Sequence, residues 1–221
     1  MGRQKISRFK EIGERNNVVE RETPLFEKIK GNWQQQIFNN DHPINLELAC
    51  GRGEYTIGLA KEFPNENFIG IDIKGERLWK GSTEAIENGL DNAAFLRTFV
   101  LDLEQSFSTA EVKDIWIIHP DPRPRERDEK RRLTHPRFLE IYKSIQQAGS
   151  RVLLKTDNTG LFQWTLEEVL KHRDDIEDLV YTYDLKKSPL LEEHYGIETR
   201  FERKFESKGE TIKYLRFKWK V

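Results

Sequence analysis

The stretch "INLELACGRGEYTIGLAKEF", residues 44–63, decides the fold class of this chain. The apolar run "INLEL" predicts a buried strand, and "YTIGLAKEF" places its apolar side chains on one helical face before Pro64 ends the helix. Gly51 and Gly53 lie between them, where a strand must turn tightly into a helix. A strand, a glycine turn and a helix in this order predict the first unit of an α/β sheet.

The same alternation continues along the chain. We predict further strands at "NFIGID", "AAFLRTFVLD", "DIWIIHPD", "RVLLKTD" and "DIEDLVYTYDL", with helices between them. The last segment, "GETIKYLRFKWK", alternates apolar and charged side chains, which indicates a terminal strand buried on one face. The pattern predicts a seven-stranded, mostly parallel sheet with helices on both faces and an antiparallel final strand, a Rossmann-like α/β fold of the class I methyltransferase type.

Length and composition favour one domain. The 221 residues are 36% hydrophobic and 11% aromatic, which is enough to bury one α/β core after a polar N-terminal arm, residues 1–43, that can be partly disordered. The net charge of −1 gives no argument for a nucleic-acid partner from the whole chain, so any such argument must be local. A single cysteine, Cys50, excludes an internal disulfide framework, and the polar start shows no signal peptide, so we expect a cytoplasmic protein.

Acidic residues near the glycine turn favour one class of cofactor. Asp72 ends the second strand about twenty residues after the first, the spacing at which a carboxylate meets ribose hydroxyls. Glu47 would place negative charge near the ligand, which suits the sulfonium of S-adenosylmethionine better than the pyrophosphate of a nicotinamide cofactor. Asp102 is placed either to contact the adenine edge or to cap the helix "LEQSF". For Gly51 and Gly53 the alternative is a tight turn without a ligand.

The fourth strand runs into a proline-rich turn and then into a basic segment. Asp121 follows the strand on a turn stiffened by flanking prolines, at the edge where open α/β sheets bind ligands. Behind it come the basic residues Arg123, Arg125, Arg127, Lys130, Arg131, Arg132 and Arg137. Guanidinium groups match phosphate geometry, so the segment predicts binding to an RNA backbone. The alternative is a solvated helix with i,i+4 ion pairs.

The fifth strand brings a second carboxylate to the same edge. Asp157 is placed either to face a ligand or to cap the helix that begins near Gly160. His119 lies beside the acidic turn and could titrate near neutral pH, but we interpret it as a structural residue.

Three ordered motifs make residues 44–219 resemble the tRNA (guanine-N7)-methyltransferases of the bacterial single-chain type. "PDPRPRERDEKRRLTHPRF" is similar to the family's Asp-Pro-Trp-Pro turn and the basic motifs after it, "LKTDN" to its later Thr-Asp motif, and "TRFERKF" to its Thr-x-Tyr-Glu-x-Lys-Phe segment. Two positions depart from the family. Arg123 stands where it usually has tryptophan, and Ala49 where its glycine loop usually has the first glycine.

The resemblance implies that residues 44–221 form an S-adenosylmethionine-dependent domain that methylates N7 of a guanine in tRNA, with variable-loop guanine 46 expected. Taken with the glycine turn, it implies a cofactor-binding set of Glu47, Gly51, Gly53, Asp72, Asp102 and Asp121, with Asp121 also catalytic. It further implies substrate-binding roles for Arg125, Asp157, Thr199 and Glu202, although Thr199 could instead be a capping residue. The implied partner is tRNA, with no metal, membrane or obligatory protein partner, and the chain is expected to be a monomer or homodimer.

The chemistry at N7 needs alignment more than a general base, because this atom carries a lone pair and no proton. We therefore expect Asp121 and Asp157 to orient the guanine and the methyl donor. Two alternatives remain: a methyltransferase that acts on another substrate, and an inert RNA-binding relative, which the departures at Arg123 and Ala49 leave open.

Overall fold

The structure is a computed structural model that describes residues 11–21 and 23–220. Its strands are β1 (Val18–Glu20), β2 (Ile44–Leu48), β3 (Asn67–Asp72), β4 (Ala93–Arg97), β5 (Val112–Ile118), β6 (Arg151–Thr156), β7 (Ile176–Thr182) and β8 (Lys213–Trp219). They form one sheet in the order β1-β4-β3-β2-β5-β6-β8-β7. Neighbours from β1 to β6 pair in parallel, and β8 lies antiparallel between β6 and β7.

The α-helices are α1 (Glu54–Glu62), α2 (Gly75–Glu87), α3 (Leu103–Ser106), α4 (Pro136–Ile145), α5 (Thr159–Trp164) and α6 (Arg200–Glu206). Helix α5 continues into a π-helical turn, Thr165–Val169, and a 3-10 turn, Leu170–His172. Other single turns are Phe26–Lys28, Gln34–Phe38, Val100–Asp102, Glu126–Arg131, Leu185–Lys187 and Pro189–His194. Within the described ranges, no helix combines the length and the apolarity that a membrane span requires.

Two apolar clusters cover the faces of the sheet, because successive side chains of a strand point to opposite sides. In β3, Ile69 and Ile71 belong to one cluster, which α4 and α5 cover with Leu139 and Phe162. Phe68 of the same strand belongs to the other cluster, to which α1 and α2 contribute. The predicted α/β sheet with helices on both faces and an antiparallel last strand is confirmed.

The sheet has eight strands where the sequence predicted seven. The additional strand, β1, comes from the segment assigned to the N-terminal arm and pairs with β4 at the sheet edge. The same segment buries Trp33 completely, stacks its ring on Phe107 at 5.3 Å and donates its indole N–H to the Ser106 carbonyl. Residues 1–10 of the arm lie outside the described residues. The boundary at residue 43 stays a prediction, although β1 and Trp33 join the segment to the core.

Candidate functional site

A cleft of about 360 Å³ lies at the carboxyl ends of β3, β4 and β5. Its apolar wall includes Ile73, Phe99 and Leu101, three large side chains that are about half exposed. Its polar wall includes the carboxylates of Asp72 and Asp121. Exposed apolar side chains beside a few convergent polar groups are typical of a small-molecule site.

The glycine turn between β2 and α1 adopts left-handed backbone at Ala49, Gly51 and Gly53, with φ of 54°, 60° and 69°. Gly53 is required by packing, because a Cβ there would lie 2.5 Å from the Phe95 ring. A Cβ on Gly51 would contact nothing within 4 Å, so this residue borders open space. Ala49, which lines the cleft, holds strained backbone at the position where the resembling family has glycine.

Asp72 is held firmly at the cleft. Its Oδ2 accepts a hydrogen bond from the Gly51 backbone N–H at 3.1 Å, and its Oδ1 accepts one from the Lys74 backbone N–H at 2.8 Å. The Arg77 guanidinium lies 3.8 Å away. The structure thus places Asp72 next to the glycine turn, as its spacing in the sequence predicted.

Glu47 does not line this cleft. Its buried carboxyl accepts hydrogen bonds from the backbone N–H and the hydroxyl of Thr56, at 2.7 and 2.6 Å, and thereby fixes the first turn of α1. Burial raises the pKa of Glu47 to about 8, against the lowering effect of those two hydrogen bonds. A carboxyl that stays protonated near neutral pH does not supply the negative charge that the sequence argument assigned to it. A cofactor-binding role for Glu47 stays a prediction.

Asp102 faces the N-terminal segment. Its Oδ2 lies 2.9 Å from the Arg21 guanidinium, which also lies over the Phe99 ring. The residue precedes α3, yet its side chain makes no capping hydrogen bond. The alternative of a helix cap is therefore wrong, and contact with an adenine edge stays a prediction.

Asp121 is the most open of the candidate carboxylates, with a side chain 62% exposed. Its partner is Arg123, whose guanidinium lies 3.2 Å from Oδ2. His119 and Arg123, on either side of this turn, both have φ of 46°. Left-handed backbone at non-glycine residues persists only where the surroundings enforce it, and it is found often at ligand-binding sites.

The basic segment supports the turn that carries Asp121 and Arg123. Arg132 is buried, donates to the Arg123 carbonyl at 3.2 Å and places its guanidinium over the Trp164 ring. The ion pairs within the segment are i,i+3 pairs, Arg131 with Asp128 and Arg132 with Glu129, on a 3-10 turn and not on the solvated α-helix of the alternative interpretation.

Arg125 is exposed and makes no ion pair with any described residue. A guanidinium in that state can take a phosphate without losing a protein partner. Its predicted role at the substrate is therefore compatible with its position.

At the end of β6, the helix cap is Asn158 and not Asp157. The Asn158 side chain accepts from the Leu161 N–H at 2.8 Å, whereas Asp157 Oδ1 lies 3.0 Å from His119 Nδ1. The capping alternative for Asp157 is therefore wrong. Its carboxylate instead contacts His119, the residue that follows β5.

Thr199 caps α6, since its hydroxyl accepts from the Glu202 N–H at 3.0 Å. Glu202 is almost completely buried, and its Oε1 lies 2.7 Å from Lys155 Nζ of β6. Lys155 also donates to the Tyr55 hydroxyl at 2.8 Å, and that hydroxyl lies 2.7 Å from His194 Nδ1. The Tyr55 hydroxyl can then donate its hydrogen to His194 Nδ1. Burial keeps His194 neutral by lowering its pKa to about 3.

The predicted residues therefore fall into two groups. Asp72, Asp121 and the glycine turn adjoin the cleft, whereas Asp157, Thr199 and Glu202 belong to a buried polar network beyond the end of β5. Glu47 lies under α1 and Asp102 pairs with Arg21, so the cofactor set is not gathered on one surface.

Sequence reasoning assigned no site role to three residues of the network: Lys155, which it placed at the same edge as Asp157, Tyr55, and His119, which it interpreted as structural. One signal was present, because Lys155 occupies a strand position that the apolar run "RVLLKT" assigns to the interior. A lysine buried in a strand requires a counter-charge.

Comparisons with known proteins agree with this architecture. The profile of a family described as "Putative methyltransferase" matches residues 41–215. A tRNA (guanine-N(7)-)-methyltransferase of Cytophaga hutchinsonii is 49% identical over 219 residues, covering 99% of both chains. Among solved structures, a 16S rRNA methyltransferase covers 85% of this chain and 92% of its own, with a TM-score of 0.61 and 18% identity. A 16S rRNA (adenine(1408)-N(1))-methyltransferase of Catenulisporales acidiphilia, solved with its cosubstrate SAM, covers 86% and 91%, with a TM-score of 0.58 and 12% identity. At these identities the two structures support the fold alone.

Proposed function

This chain belongs to the tRNA (guanine-N7)-methyltransferase family, as its motifs predicted, and we propose that it transfers a methyl group from S-adenosylmethionine to N7 of guanine 46 in the variable loop of tRNA. The observation that carries this proposal is the cleft, where an apolar wall faces Asp72 and Asp121 and the basic segment begins at its rim.

The cleft fits the donor in size and in chemistry. Ile73, Phe99 and Leu101 offer apolar surface for an adenine ring, and the Asp72 carboxylate, fixed by two backbone amides, can accept from ribose hydroxyls. Gly51 leaves open space where the donor's chain would approach the backbone. S-adenosylmethionine would supply an electrophilic methyl group on a sulfonium.

In the reaction, the N7 lone pair forms a bond to the methyl carbon while the carbon–sulfur bond breaks and its electrons return to sulfur. No proton leaves N7, and positive charge develops on the purine. Asp121 is exposed at the rim, where its carboxylate can accept from guanine N–H groups and stabilise that charge. Asp121 then acts by orientation and electrostatics.

On the substrate side, Arg125 is open to a tRNA phosphate, and the Arg123 guanidinium can stack on a base in place of the family's tryptophan. The groups of the buried network would act indirectly, by fixing the position of α6; they are Asp157, Thr199 and Glu202. Phosphate contacts fix the register of the RNA, whereas the choice of base is made at the cleft.

The test is transfer of labelled methyl from S-adenosylmethionine to an unmodified tRNA transcript and to one with adenine in place of guanine 46. We expect label in the first transcript alone. Borohydride reduction followed by aniline, which cleaves RNA at 7-methylguanosine, should then break that transcript at position 46. Asp121→Ala should abolish most of the transfer because it removes the carboxylate that orients the guanine, and the fold should stay intact because that side chain is exposed. Asp41→Ala, which removes an exposed carboxylate elsewhere, is the matched control.

Three results would contradict this function in different ways. Equal label in both transcripts would reject guanine 46, and no label despite donor binding would point to another substrate. Absence of donor binding in calorimetry would favour an inert RNA-binding relative. A cytoplasmic location, the monomer or homodimer and the lack of an obligatory protein partner stay predictions from the sequence.

A further inference from the structure

Two buried atoms beyond the end of β5 face each other without a hydrogen-bond partner. They are His119 Nε2 and Glu202 Oε2, which lie 3.7 Å apart. The other ring nitrogen, Nδ1, lies 3.0 Å from Asp157 Oδ1. Each nitrogen of the ring therefore faces a carboxylate oxygen, one from β6 and one from α6.

This geometry decides the protonation of the ring. An ionised carboxylate oxygen can only accept, so a ring nitrogen that lacks a hydrogen would face it as a second acceptor. Burial by itself would raise the pKa of Glu202, but the Lys155 ammonium, 2.7 Å from Oε1, helps to hold that pKa below the usual range, so the carboxylate is ionised. Both His119 nitrogens consequently require hydrogen, and the ring is an imidazolium.

Charge in the network is compatible with this result. The Lys155 ammonium lies 2.7 Å from Glu202, and the Lys213 ammonium donates to the Asp157 backbone carbonyl and acts electrostatically on its carboxylate. Among the described residues neither ammonium forms an ion pair with both acids, whereas the ring lies between them in a region where unpaired charge is costly. The titratable groups around the ring are Asp157 and Lys155 of β6, Glu202 of α6 with the neighbouring carboxylates of Glu198 and Glu206, Lys213 of β8, and neutral His194 of the turn before α6.

We propose that the His119 imidazolium is a positioning residue that holds Asp157 in place and clamps α6 against the strand ends. This role rests on the proposed function, in which Asp157 and α6 support the guanine site. His119 needs no contact with the substrate, since its side chain is buried. Phe205 of α6 stacks on the same ring at 6.4 Å, which adds an apolar contact to the clamp.

The clamp has a pH range. Burial lowers the pKa of His119, but the hydrogen bonds and charges of Asp157 and Glu202 outweigh it and leave that pKa above its usual 6.5. The ring therefore keeps its proton to a higher pH than an ordinary histidine and loses it as pH rises through the raised value. Methyl transfer should fall over that pH range because α6 loosens.

Three variants separate the two contacts. His119→Ala removes both, whereas His119→Asn keeps an amide donor for Asp157 alone. His172→Ala removes an exposed histidine for which the described residues provide no hydrogen bond or ion pair, and it serves as the control. Single-turnover methyl transfer is measured from pH 6 to 9 together with KM for tRNA and Kd for S-adenosylmethionine.

At neutral pH we expect His119→Ala to lower the transfer rate by about 10²-fold, the loss that a displaced site typically causes. His119→Asn should recover part of it, and the donor Kd should stay within about twofold. The alkaline fall of the wild type should be missing from both variants. A rate for His119→Ala equal to that of His172→Ala, or an unchanged alkaline fall, would overturn the role of His119.

Two readouts do not depend on tRNA methylation. Nitrogen-15 NMR of the His119 ring, assigned by its loss in His119→Asn, should show both nitrogens protonated at pH 7. Hydrogen exchange of the α6 amides should accelerate in His119→Ala and not in the control. If the wild type methylated no tRNA, the proposed function would fail while these readouts still tested the clamp. A neutral ring at pH 7 or unchanged α6 exchange would refute the clamp.

Discussion

The ion pair between Lys155 and Glu202 allows a sharp test of what burial does to charge in this protein. Lys155 is 1% exposed and Glu202 is 2% exposed, with their charged atoms 2.7 Å apart. Lys155→Met should keep the volume of the side chain and leave the Glu202 carboxylate with His119 as its remaining counter-charge, at 3.7 Å. The same substitution also removes the hydrogen bond to the Tyr55 hydroxyl.

Breaking one partner of a buried pair typically costs about 3–5 kcal/mol of unfolding free energy. Because His119 remains close to Glu202, we expect the lower end, about 3 kcal/mol. For a chain of this length, that loss corresponds to a fall in Tm of about 6–12 °C. The measurement is urea unfolding followed by circular dichroism, with thermal unfolding alongside it.

A matched control isolates burial from geometry. Lys113 lies 2.6 Å from Glu66, but the two side chains are 35% and 24% exposed, so Lys113→Met should cost less than about 1 kcal/mol. The double variant Lys155→Met with Glu202→Gln removes both buried charges and should be more stable than the sum of the single losses predicts, by about 2 kcal/mol. Equal losses for Lys155→Met and Lys113→Met, or strictly additive losses in the double variant, would refute the reasoning.

Three further predictions concern the turn, α1 and α6. Ala49→Gly should relieve the left-handed backbone and stabilise the fold by about 0.5–1 kcal/mol, after the entropy of the unfolded glycine is subtracted. Gly51→Ala should destabilise the fold, although its Cβ would contact nothing, because it introduces the same backbone strain. Changes of the same sign in the free energy of urea unfolding for both variants would contradict this reasoning. Glu47 has a pKa of about 8 when folded against 4.5 ordinarily, so its contribution to stability is complete below pH 4.5 and is lost as pH rises through about 8. Glu47→Gln should therefore gain stability relative to the wild type between about pH 5 and 9 in denaturant titrations, and a constant difference would disprove the shift. Thr199→Ala should lose about 1 kcal/mol with the α6 cap, and Thr199→Ser should restore most of it; no difference between the two would exclude the capping bond.

The residues that the sequence placed correctly are those that depend on local order. Gly51, Gly53 and Asp72 were predicted at the end of their strands, and the structure joins Gly51 to Asp72 by a hydrogen bond. Asp121 likewise lies at the strand edge, in the proline-rich turn that follows β5. The carboxyl ends of parallel strands must meet at one edge, so the position along the chain was sufficient for these residues.

Partner choice was less predictable. Asp157 and Asn158 are adjacent and both can cap a helix, and only the position of His119 after β5 assigns one to the ring and the other to the helix. Glu47 was expected to carry charge for a ligand, yet Thr56 takes both hydrogen bonds and burial keeps the group protonated.

By itself, therefore, the sequence determined the α/β alternation, the glycine turn and the sheet edge at which Asp72 and Asp121 lie, because hydrophobic period and turn chemistry are local properties. Tertiary structure decided the eighth strand, formed by three residues too short to show a period, and the buried network of Lys155, Glu202 and His119. These features join segments up to 83 residues apart, as between His119 and Glu202, and the charge of each group depends on which others share its interior site. These ion pairs exist only once the sheet and α6 have assembled around them.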